Sequence, residues 1–302
     1  MMRSSLTTST SPELKTKKLP LKMERKAVSE VTFKVFLYCL LIVISIAMIF
    51  PFFWLIRSAL MNQVELFTMP VKWLPSKLLW SNFKEALTAA PFGLYFLNTV
   101  ILVVLNVIGA VISNSFIAFG FSRIQFKTRN FWFGFVLMTL MLPSAVMLIP
   151  QFIGWKAVGA YNTYVPLVLP AFFGNAFFIF LLKQFYASIP FEYDEAARVE
   201  GANYFQIWLK IIVPLSKPAL VTIAVFTFMG VWNDFMGPLL YLSDDQKWTL
   251  ALGLQGFQGQ YTSQWNYLMA AATVMFAPLV ILFFFAQKHI MSGANINGGI
   301  KG

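Results

Sequence analysis

The stretch "PFEYDEAARVEGANYFQIWLKIIVPLSKPA", residues 190–219, is a short acidic segment inside a strongly apolar chain. Four of the 12 acidic residues of the chain fall within nine positions of it: Glu192, Asp194, Glu195 and Glu200. Pro190 and the acids after it suit a helix start, where negative charge meets the positive end of the helix dipole. Gly201 is a natural helix stop. The sequence therefore predicts a helix over 191–200 that is too short and too polar to cross a membrane.

The residues after Gly201, "ANYFQIWLKIIVP", predict a second helical piece that ends at Pro214 and leads into the next apolar run. Because an isolated helix as short as 191–200 is marginal in water, it needs to pack against something. Two interpretations stay open. The segment is either a loop helix that only joins two membrane spans, or a docking helix. In the second case the small Ala196 and Ala197 permit close approach to a partner's groove, and the carboxylates face its basic residues.

The composition of the whole chain indicates an integral membrane protein. Hydrophobic residues make up 58% of the 302 residues and charged residues 12%, with a mean hydropathy of +0.69. A soluble domain carries roughly 25% charged residues, so this chain has too little charge to cover a water-exposed surface. The single cysteine, Cys39, excludes an intrachain disulfide, and the single histidine, His289, excludes a His-rich metal site.

Six stretches are apolar and long enough to cross a bilayer, which requires about 20 residues. They cover 35–56, 96–119 (between Glu85 and Arg123), 131–150, 164–182, 219–242 and 267–286. The fourth is interrupted by prolines and a glycine, which membrane helices tolerate when neighbours bond the freed carbonyls. The predicted fold class is all-α: an integral membrane helical bundle of about six transmembrane helices, with the 191–200 helix outside the membrane.

The distribution of positive charge predicts the orientation. With six spans both termini lie on one side, which holds seventeen of the 23 Lys and Arg residues and therefore faces the cytoplasm. Residues 1–30 form a basic, flexible tail, 31–286 the transmembrane domain and 287–302 a cytoplasmic C-terminal tail. The net charge of +11 is explained by this orientation, so no nucleic-acid partner is expected. The lysines of the N-terminal tail are either solvated, which is the favoured interpretation, or in contact with anionic membrane lipid.

The spacing within the acidic segment resembles a family motif. Glu195-Ala196-Ala197 is followed by three residues and Gly201, then by nine residues, Ile211, one residue and Val213-Pro214. This resembles the EAA motif of ABC importer permeases of the binding-protein-dependent family with the MetI-like fold, with Val213 where the family has Leu. The stretches "VWNDFMGPLLYLSDDQKWTLALGLQGFQ" (231–258) and "AQKHIMSGANINGGIKG" (286–302) are similar to the carbohydrate-uptake group of that family, which includes the maltose permease.

The resemblance implies a type I ABC importer permease whose core covers about 85–286, with a cytoplasmic coupling segment at 190–218. Glu195 is then expected to pair with a basic residue of an ATPase subunit, Ala196 and Ala197 to allow the fit, and Gly201 to make the turn. The residues implied in coupling to the ATPase are Glu195, Ala196, Ala197, Arg198, Gly201 and Pro214. The implied partners are a second homologous permease, two ABC ATPase subunits and an extracytoplasmic solute-binding protein, at a bacterial cytoplasmic (inner) membrane.

No G-x-x-x-x-G-K-[ST] phosphate loop occurs in the sequence. The chain is therefore predicted not to be an enzyme and to hold no cofactor or metal. ATP and Mg²⁺ are expected on the partner ATPase subunits.

Polar residues inside the predicted spans are candidates for a substrate pathway. Asp234 is the only acid inside a predicted span and follows Trp232 and Asn233. It is either a pathway or gate residue, or a carboxylate bonded to a neighbouring helix. A second group, Asn98, Asn106, Ser113 and Asn114, either lines the lumen or makes hydrogen bonds between helices.

The favoured function is a permease subunit that forms half of the pathway for a mono- or oligosaccharide. The sugar assignment depends on the resemblance, since aromatic side chains at 17% of the chain are weak evidence for carbohydrate. Three alternatives stay open: an ABC permease for a non-sugar solute, an ATP-independent secondary transporter and a membrane assembly factor without transport activity. The secondary transporter is disfavoured because the sequence shows no clear repeat and only one intramembrane acid.

Overall fold

The computed structural model describes residues 21–258 and 264–295. Residues 1–20 of the tail predicted over 1–30, and residues 296–302 of the C-terminal tail predicted over 287–302, lie outside the described residues. By its contacts the chain divides into two units, one ending at Trp54 and one beginning at Leu55. The first long helix, α1 (Leu21–Ala59), begins in the first unit and ends in the second.

Regular structure in the described part of the chain is helical throughout. The second unit continues after α1 with α2 (Gln63–Leu66), α3 (Ser81–Thr88), α4 (Phe92–Arg123), α5 (Arg129–Met138), α6 (Ser144–Ala157), α7 (Val165–Val168), α8 (Ala176–Ala187), α9 (Glu192–Val199), α10 (Tyr204–Ile207), α11 (Val213–Leu215), α12 (Lys217–Trp232), α13 (Met236–Tyr241), α14 (Leu250–Leu254) and α15 (Trp265–Asn295). Short 3-10 turns lie at Thr139–Met141, Leu169–Phe173, Asp245–Lys247 and Gln255–Gln258, and a π turn at Trp208–Ile212.

By length and composition the described residues hold four to six candidate membrane spans, a range that includes the predicted six. Four stretches are long and apolar enough to cross a membrane: Val31–Ala59, Phe92–Arg123, Val165–Ala187 and Trp265–Phe285. Two further pairs of helices qualify if each bent pair counts as one span, which gives up to six. The all-α membrane fold class is therefore confirmed.

The third predicted span, 131–150, is wrong as a single helix. The chain bends by 99° between Arg129–Met141 and Ser144–Ala157. Leu142, which precedes Pro143, is extended, with φ −79° and ψ 116°. A residue before proline is pushed out of the helical region by the proline ring, so the helix stops there and restarts in a new direction.

The fifth predicted span, 219–242, is too long at its C-terminal end. Helix α12 ends at Trp232, and α13 begins at Met236 in a separate segment. The backbone N–H of Gly237 donates to Asp234 Oδ1 at 3.0 Å. A short polar side chain that bonds the nearby backbone competes with helix continuation, which explains the interruption.

The helical piece after α9 does not end at Pro214 as predicted. It runs through α10, the π turn and α11 to Leu215, and the chain then bends by 80° into α12. Pro214 has no N–H to bond four residues back, and in the turn before it Val213 N–H donates to Trp208 O, five residues back. The bend comes at Ser216, whose Oγ donates to Ile212 O at 2.6 Å.

Polar side chains on α4 hold the irregular segments beside it. Such bonds satisfy backbone groups that prolines and breaks leave without helical partners. Of the two interpretations of these residues, hydrogen bonding to neighbouring segments is confirmed. The bonds are Asn98 Nδ2 to Gln246 O (2.9 Å) and Trp248 O (3.0 Å), Asn106 Nδ2 to Leu167 O (3.0 Å), Ser113 Oγ to Ala171 O (2.9 Å) and Asn175 N to Asn114 Oδ1 (2.7 Å).

We expect Gly109→Val on α4 to destabilise the permease, because a Cβ at this position meets the Phe172 ring at 2.8 Å. Overpacking of this kind costs about 1–3 kcal/mol. Gly120→Val on the same helix is the matched control, since a Cβ there has nothing within 4 Å. Thermal unfolding of the detergent-solubilised protein measures the difference. Equal melting temperatures for the two variants contradict the close packing of α4 against the 169–173 turn.

Candidate functional site

The acidic segment forms the predicted short helix. Helix α9 covers Glu192–Val199, with three acids in its first turn. It ends as predicted at Gly201, whose φ of +84° lies in the left-handed region that favours glycine. The N–H of Gly201 donates to Arg198 O and that of Ala202 to Ala197 O, both at 2.9 Å. This pair of bonds is a Schellman motif, so the end of α9 is fixed by backbone geometry.

The side chains of α9 point in two directions. Asp194 and Ala197 are buried, with 2% and 7% of their surface exposed, whereas Glu195, Ala196 and Arg198 are exposed. Ala197 belongs to the hydrophobic core of its own chain. The expectation that both alanines face a partner is therefore wrong for Ala197, because its side chain is used to hold α9 in place.

A buried ion pair holds α9 against the end of α4. Arg123 Nε lies 3.4 Å from Asp194 Oδ2, and the two side chains are 1% and 3% exposed. Arg123 Nη2 also donates to Tyr186 O and Ile189 O, both at 2.8 Å, and its guanidinium lies 4.4 Å from the centre of the Phe191 ring. Burial raises the pKa of the Asp194 carboxyl, and the positive charges of Arg123 and Arg198 act in the opposite direction.

A second, uncharged contact holds the helical piece after α9. Trp208 Nε1 donates to Ser115 Oγ at 2.8 Å, and Ser115 Oγ lies 3.0 Å from Tyr186 Oη. Tyr186 is in α8, Ser115 in α4 and Trp208 in the π turn, so three elements meet here. Both contacts converge on the half of α4 that ends at Arg123.

The two helical pieces of the segment are also joined to each other. Asn203 and Gln206 form a capping box at the start of α10, with two hydrogen bonds of 2.9 Å. The guanidinium of Arg198, an implied coupling residue, lies 4.7 Å from the centre of the Tyr204 ring. Pro214 is exposed and lies two residues before the bend at Ser216. The segment is thus a helix pair with a defined turn.

The three candidate pathway residues lie at the junction between α12 and α13. Trp232 is 2% exposed, stacks on Phe228 with ring centres 5.3 Å apart, and donates to Met275 O at 3.1 Å. It is therefore a core residue in this conformation. Asn233 is exposed and bonds Met229 O, and Asp234 is half-buried. Asp234 Oδ1 accepts from the N–H of Gly237 at the start of α13, which is a local cap and not the bond to a neighbouring helix that one of its two interpretations supposes.

Sequence reasoning missed Arg123 and Asp194 as site residues. The sequence contains only a weak signal for the inward direction of Asp194. Successive residues of a helix point about 100° apart, so Asp194 does not share the exposed direction of Glu195.

The described residues thus combine four to six candidate membrane spans with a polar helix that is held on the surface of the chain. Residues 114–294 match the family model "Binding-protein-dependent transport system inner membrane component". The chain belongs to this family, which consists of transporter permeases and not of enzymes. The resemblance identified from the EAA spacing is thereby confirmed.

Relatives of known name extend over nearly the whole chain. It is 32% identical over 280 residues to "Probable ABC transporter permease protein YurM" of Bacillus subtilis, covering 91% of this chain and 90% of that protein. It is 31% identical over 264 residues to "Arabinooligosaccharides transport system permease protein AraQ" of Halalkalibacterium halodurans, covering 86% and 93%.

A solved structure shows the same fold. A chain of "a bacterial ABC transporter involved in the import of the acidic polysaccharide alginate" superposes with a TM-score of 0.75 at 22% identity, covering 86% of this chain and 97% of that chain. The fold class predicted from the sequence is confirmed by this similarity.

Proposed function

We propose that this chain is one of two permease subunits that together form the membrane pathway for a mono- or oligosaccharide, and that separate ATPase subunits drive it. The observation that carries the proposal is α9, a helix locked to its own chain on one side and exposed on the other. An exposed polar helix that is held rigidly in place is suited to docking, because little ordering has to occur on binding.

The exposed side of α9 has the chemistry of a docking surface. Glu195 and Ala196 are exposed beside Tyr193 and Val199, whose side chains are 53% and 90% exposed. Apolar side chains ringed by carboxylates fit a groove with an apolar floor and a basic rim. We infer that an ATPase subunit supplies this groove, that Glu195 pairs with a basic residue on its rim, and that Ala196 allows the close approach.

The distribution of Lys and Arg supports a cytoplasmic position for α9 and for both termini, in a bacterial inner membrane. The proposed assembly contains this permease, a second homologous permease, two ABC ATPases and an extracytoplasmic solute-binding protein. No cofactor is proposed for this chain, because its sequence lacks a phosphate loop. ATP and Mg²⁺ belong to the ATPases, whose closure displaces α9 and switches the pathway between inward-open and outward-open states.

The names of relatives support a sugar as the solute. Besides the arabinooligosaccharide permease, they include "Diacetylchitobiose uptake system permease protein NgcG" of Streptomyces coelicolor at 29% identity. A second candidate is a polyol phosphate, because "sn-glycerol-3-phosphate transport system permease protein UgpE" of Salmonella typhi is 31% identical. The two candidates differ in charge, so one uptake experiment separates them.

The test is uptake by proteoliposomes that contain the chain with its co-purified partners and ATP inside. The solutes are arabinotriose, diacetylchitobiose, maltotriose and sn-glycerol 3-phosphate. We expect ATP-dependent uptake of at least one of the three sugars and none with a non-hydrolysable ATP analogue. Uptake of sn-glycerol 3-phosphate alone favours the second candidate. Uptake without ATP, or by the chain without partners, contradicts the proposed class of transporter.

A further inference from the structure

Arg123 is the point where α4, α8 and α9 are held together. Its side chain, at the last residue of α4, reaches the Asp194 carboxylate on α9 and the carbonyls of Tyr186 and Ile189 at the end of α8. Those two carbonyls lie in the last turn of α8 and just beyond it, where helical acceptors lack helical donors. A single guanidinium therefore connects three helices, and Asp194 is its only carboxylate partner on α9.

The contact between Arg123 and Asp194 is ionic without being a close hydrogen bond. The shortest distance is 3.4 Å, from Arg123 Nε to Asp194 Oδ2. In the described part of the chain, Arg123 Nη1 and both carboxylate oxygens of Asp194 are buried and have no hydrogen-bond partner. A hydrogen bond weakens steeply when its geometry is disturbed, whereas the attraction of two charges falls only with the inverse of their distance. This contact can therefore still pull after α9 has shifted by a fraction of an ångström.

The other contacts of α9 are of shorter range. Ala197 contributes a single methyl group to the core, and Phe191, just before α9, is half-exposed while it stacks on Arg123. The dispersion contacts of Ala197 lose a quarter to a half of their energy once a gap of about 0.5–1 Å opens, and the cation–π attraction between Arg123 and Phe191 falls off more steeply with distance than the attraction of two full charges. The ion pair is thus the contact on α9 that is suited to carry a displacement into α4.

We propose that the Arg123–Asp194 ion pair transmits the displacement of α9 to α4, so that both are positioning residues for alternating access. The inference rests on the proposed function, in which ATPase closure displaces α9. It goes beyond docking, because it assigns transmission to an ion pair that is buried within this chain. If the pair served only to fold the segment, its loss would affect docking, ATP hydrolysis and movement of α4 together.

The test is Asp194→Asn in the assembled transporter in lipid nanodiscs. Asparagine keeps the size of the side chain and removes its charge. Hydrogen–deuterium exchange is compared without nucleotide and after trapping with ATP and orthovanadate. In the wild type, both α9 and the last two turns of α4 should change on trapping. In the variant we expect the change in α4 to fall about tenfold while the change in α9 stays within twofold of the wild type.

Asp244→Asn is the matched control. Asp244 also pairs with a cation, Lys247, at 3.5 Å, yet both side chains are 37% exposed and lie near each other in sequence. Exposed pairs of this kind contribute little, so trapping should change α4 in this variant as in the wild type. Asp194→Glu restores the charge and should recover at least half of the change in α4.

The outcomes separate the two proposals. If trapping changes neither α9 nor α4 in the wild type, the ATPase docking proposal fails and this inference fails with it. If α9 changes in Asp194→Asn and α4 changes as much as in the wild type, the inference alone is overturned. It is also overturned if Asp194→Asn loses ATPase binding, or if Asp194→Glu behaves like Asp194→Asn. If Asp194→Asn fails to insert into the membrane, Asp194→Glu is compared with the wild type instead. Asp194→Glu keeps the negative charge, so a loss of the exchange change in α4 in this variant overturns the inference.

Discussion

Glu195→Lys is expected to separate the ATPase subunits from this permease and to abolish transport. Glu195 is exposed on α9 and makes no ion pair with another described residue of its own chain, so its carboxylate is free for a partner. Loss of one member of a desolvated interfacial charge pair costs about 2–5 kcal/mol of binding free energy. Reversal of the charge at residue 195 adds repulsion between the new lysine and the basic residue of the partner. A cost of about 2 kcal/mol already weakens binding by roughly thirtyfold.

The measurement for Glu195→Lys is retention of ATPase subunits on the purified permease, together with ATP-dependent uptake. Glu200→Lys is the matched control, since it makes the same charge change five residues further along. Five residues correspond to a rotation of about 140° around a helix, so Glu200 does not share the face of Glu195. A lysine at the end of α9 also suits the helix dipole. Equal loss of ATPase subunits in the two variants contradicts a specific role for Glu195.

Gly201→Val is the second change with a large expected effect. The φ of +84° at Gly201 costs other residues about 1–2 kcal/mol, and β-branched side chains tolerate it least. Nothing lies within 4 Å of a Cβ built here, so the penalty comes from the backbone conformation alone. We expect α9 to lose its fixed end and the direction of the following helix to change. Transport should fall to background, with the protein still present in the membrane.

Hydrogen exchange of the amides of α9 and uptake by proteoliposomes measure the effect of Gly201→Val. Gly93→Ala is the control, because Gly93 lies in the first turn of α4 with negative φ and free space around it. Alanine there should be neutral or stabilising by about 0.5–1 kcal/mol. Gly201→Asn should retain more activity than Gly201→Val, since Asn tolerates the left-handed region. Wild-type uptake in Gly201→Val contradicts the need for the Schellman turn.

Local signals in the sequence predicted the acidic helix and the number of spans. The acids in its first turn and Gly201 at its end are determined by nearby residues, and long apolar runs are visible without knowledge of the fold. The breaks inside the spans were harder to predict. Pro143 ends a helix, whereas Pro51, Pro150 and Pro278 lie inside helices. The sequence shows where a proline is, but neighbouring segments decide whether the freed carbonyl finds another donor.

The anchoring of α9 was not predictable from the sequence. Arg123 and Asp194 are separated by 70 intervening residues, and their contact exists only because α8 returns the chain to the end of α4. Ser115 and Trp208, 93 positions apart, meet for the same reason. Both contacts are long-range, so the inward direction of Asp194 and Ala197 could be found only from the assembled helices.

The side-chain amides on α4 have a consequence for biosynthesis. Asn106 and Asn114 bond to Leu167 and Asn175, each pair separated by 61 positions. During translation, α4 therefore enters the bilayer before the ribosome has delivered the residues that satisfy these amides. Within α4 itself, Asn106 Nδ2 donates to Leu102 O and Asn114 Nδ2 to Ala110 O, so the helix alone satisfies only part of the hydrogen-bonding capacity of each amide. The order of synthesis thus leaves both amides with only their intrahelical bonds until the 165–175 segment arrives.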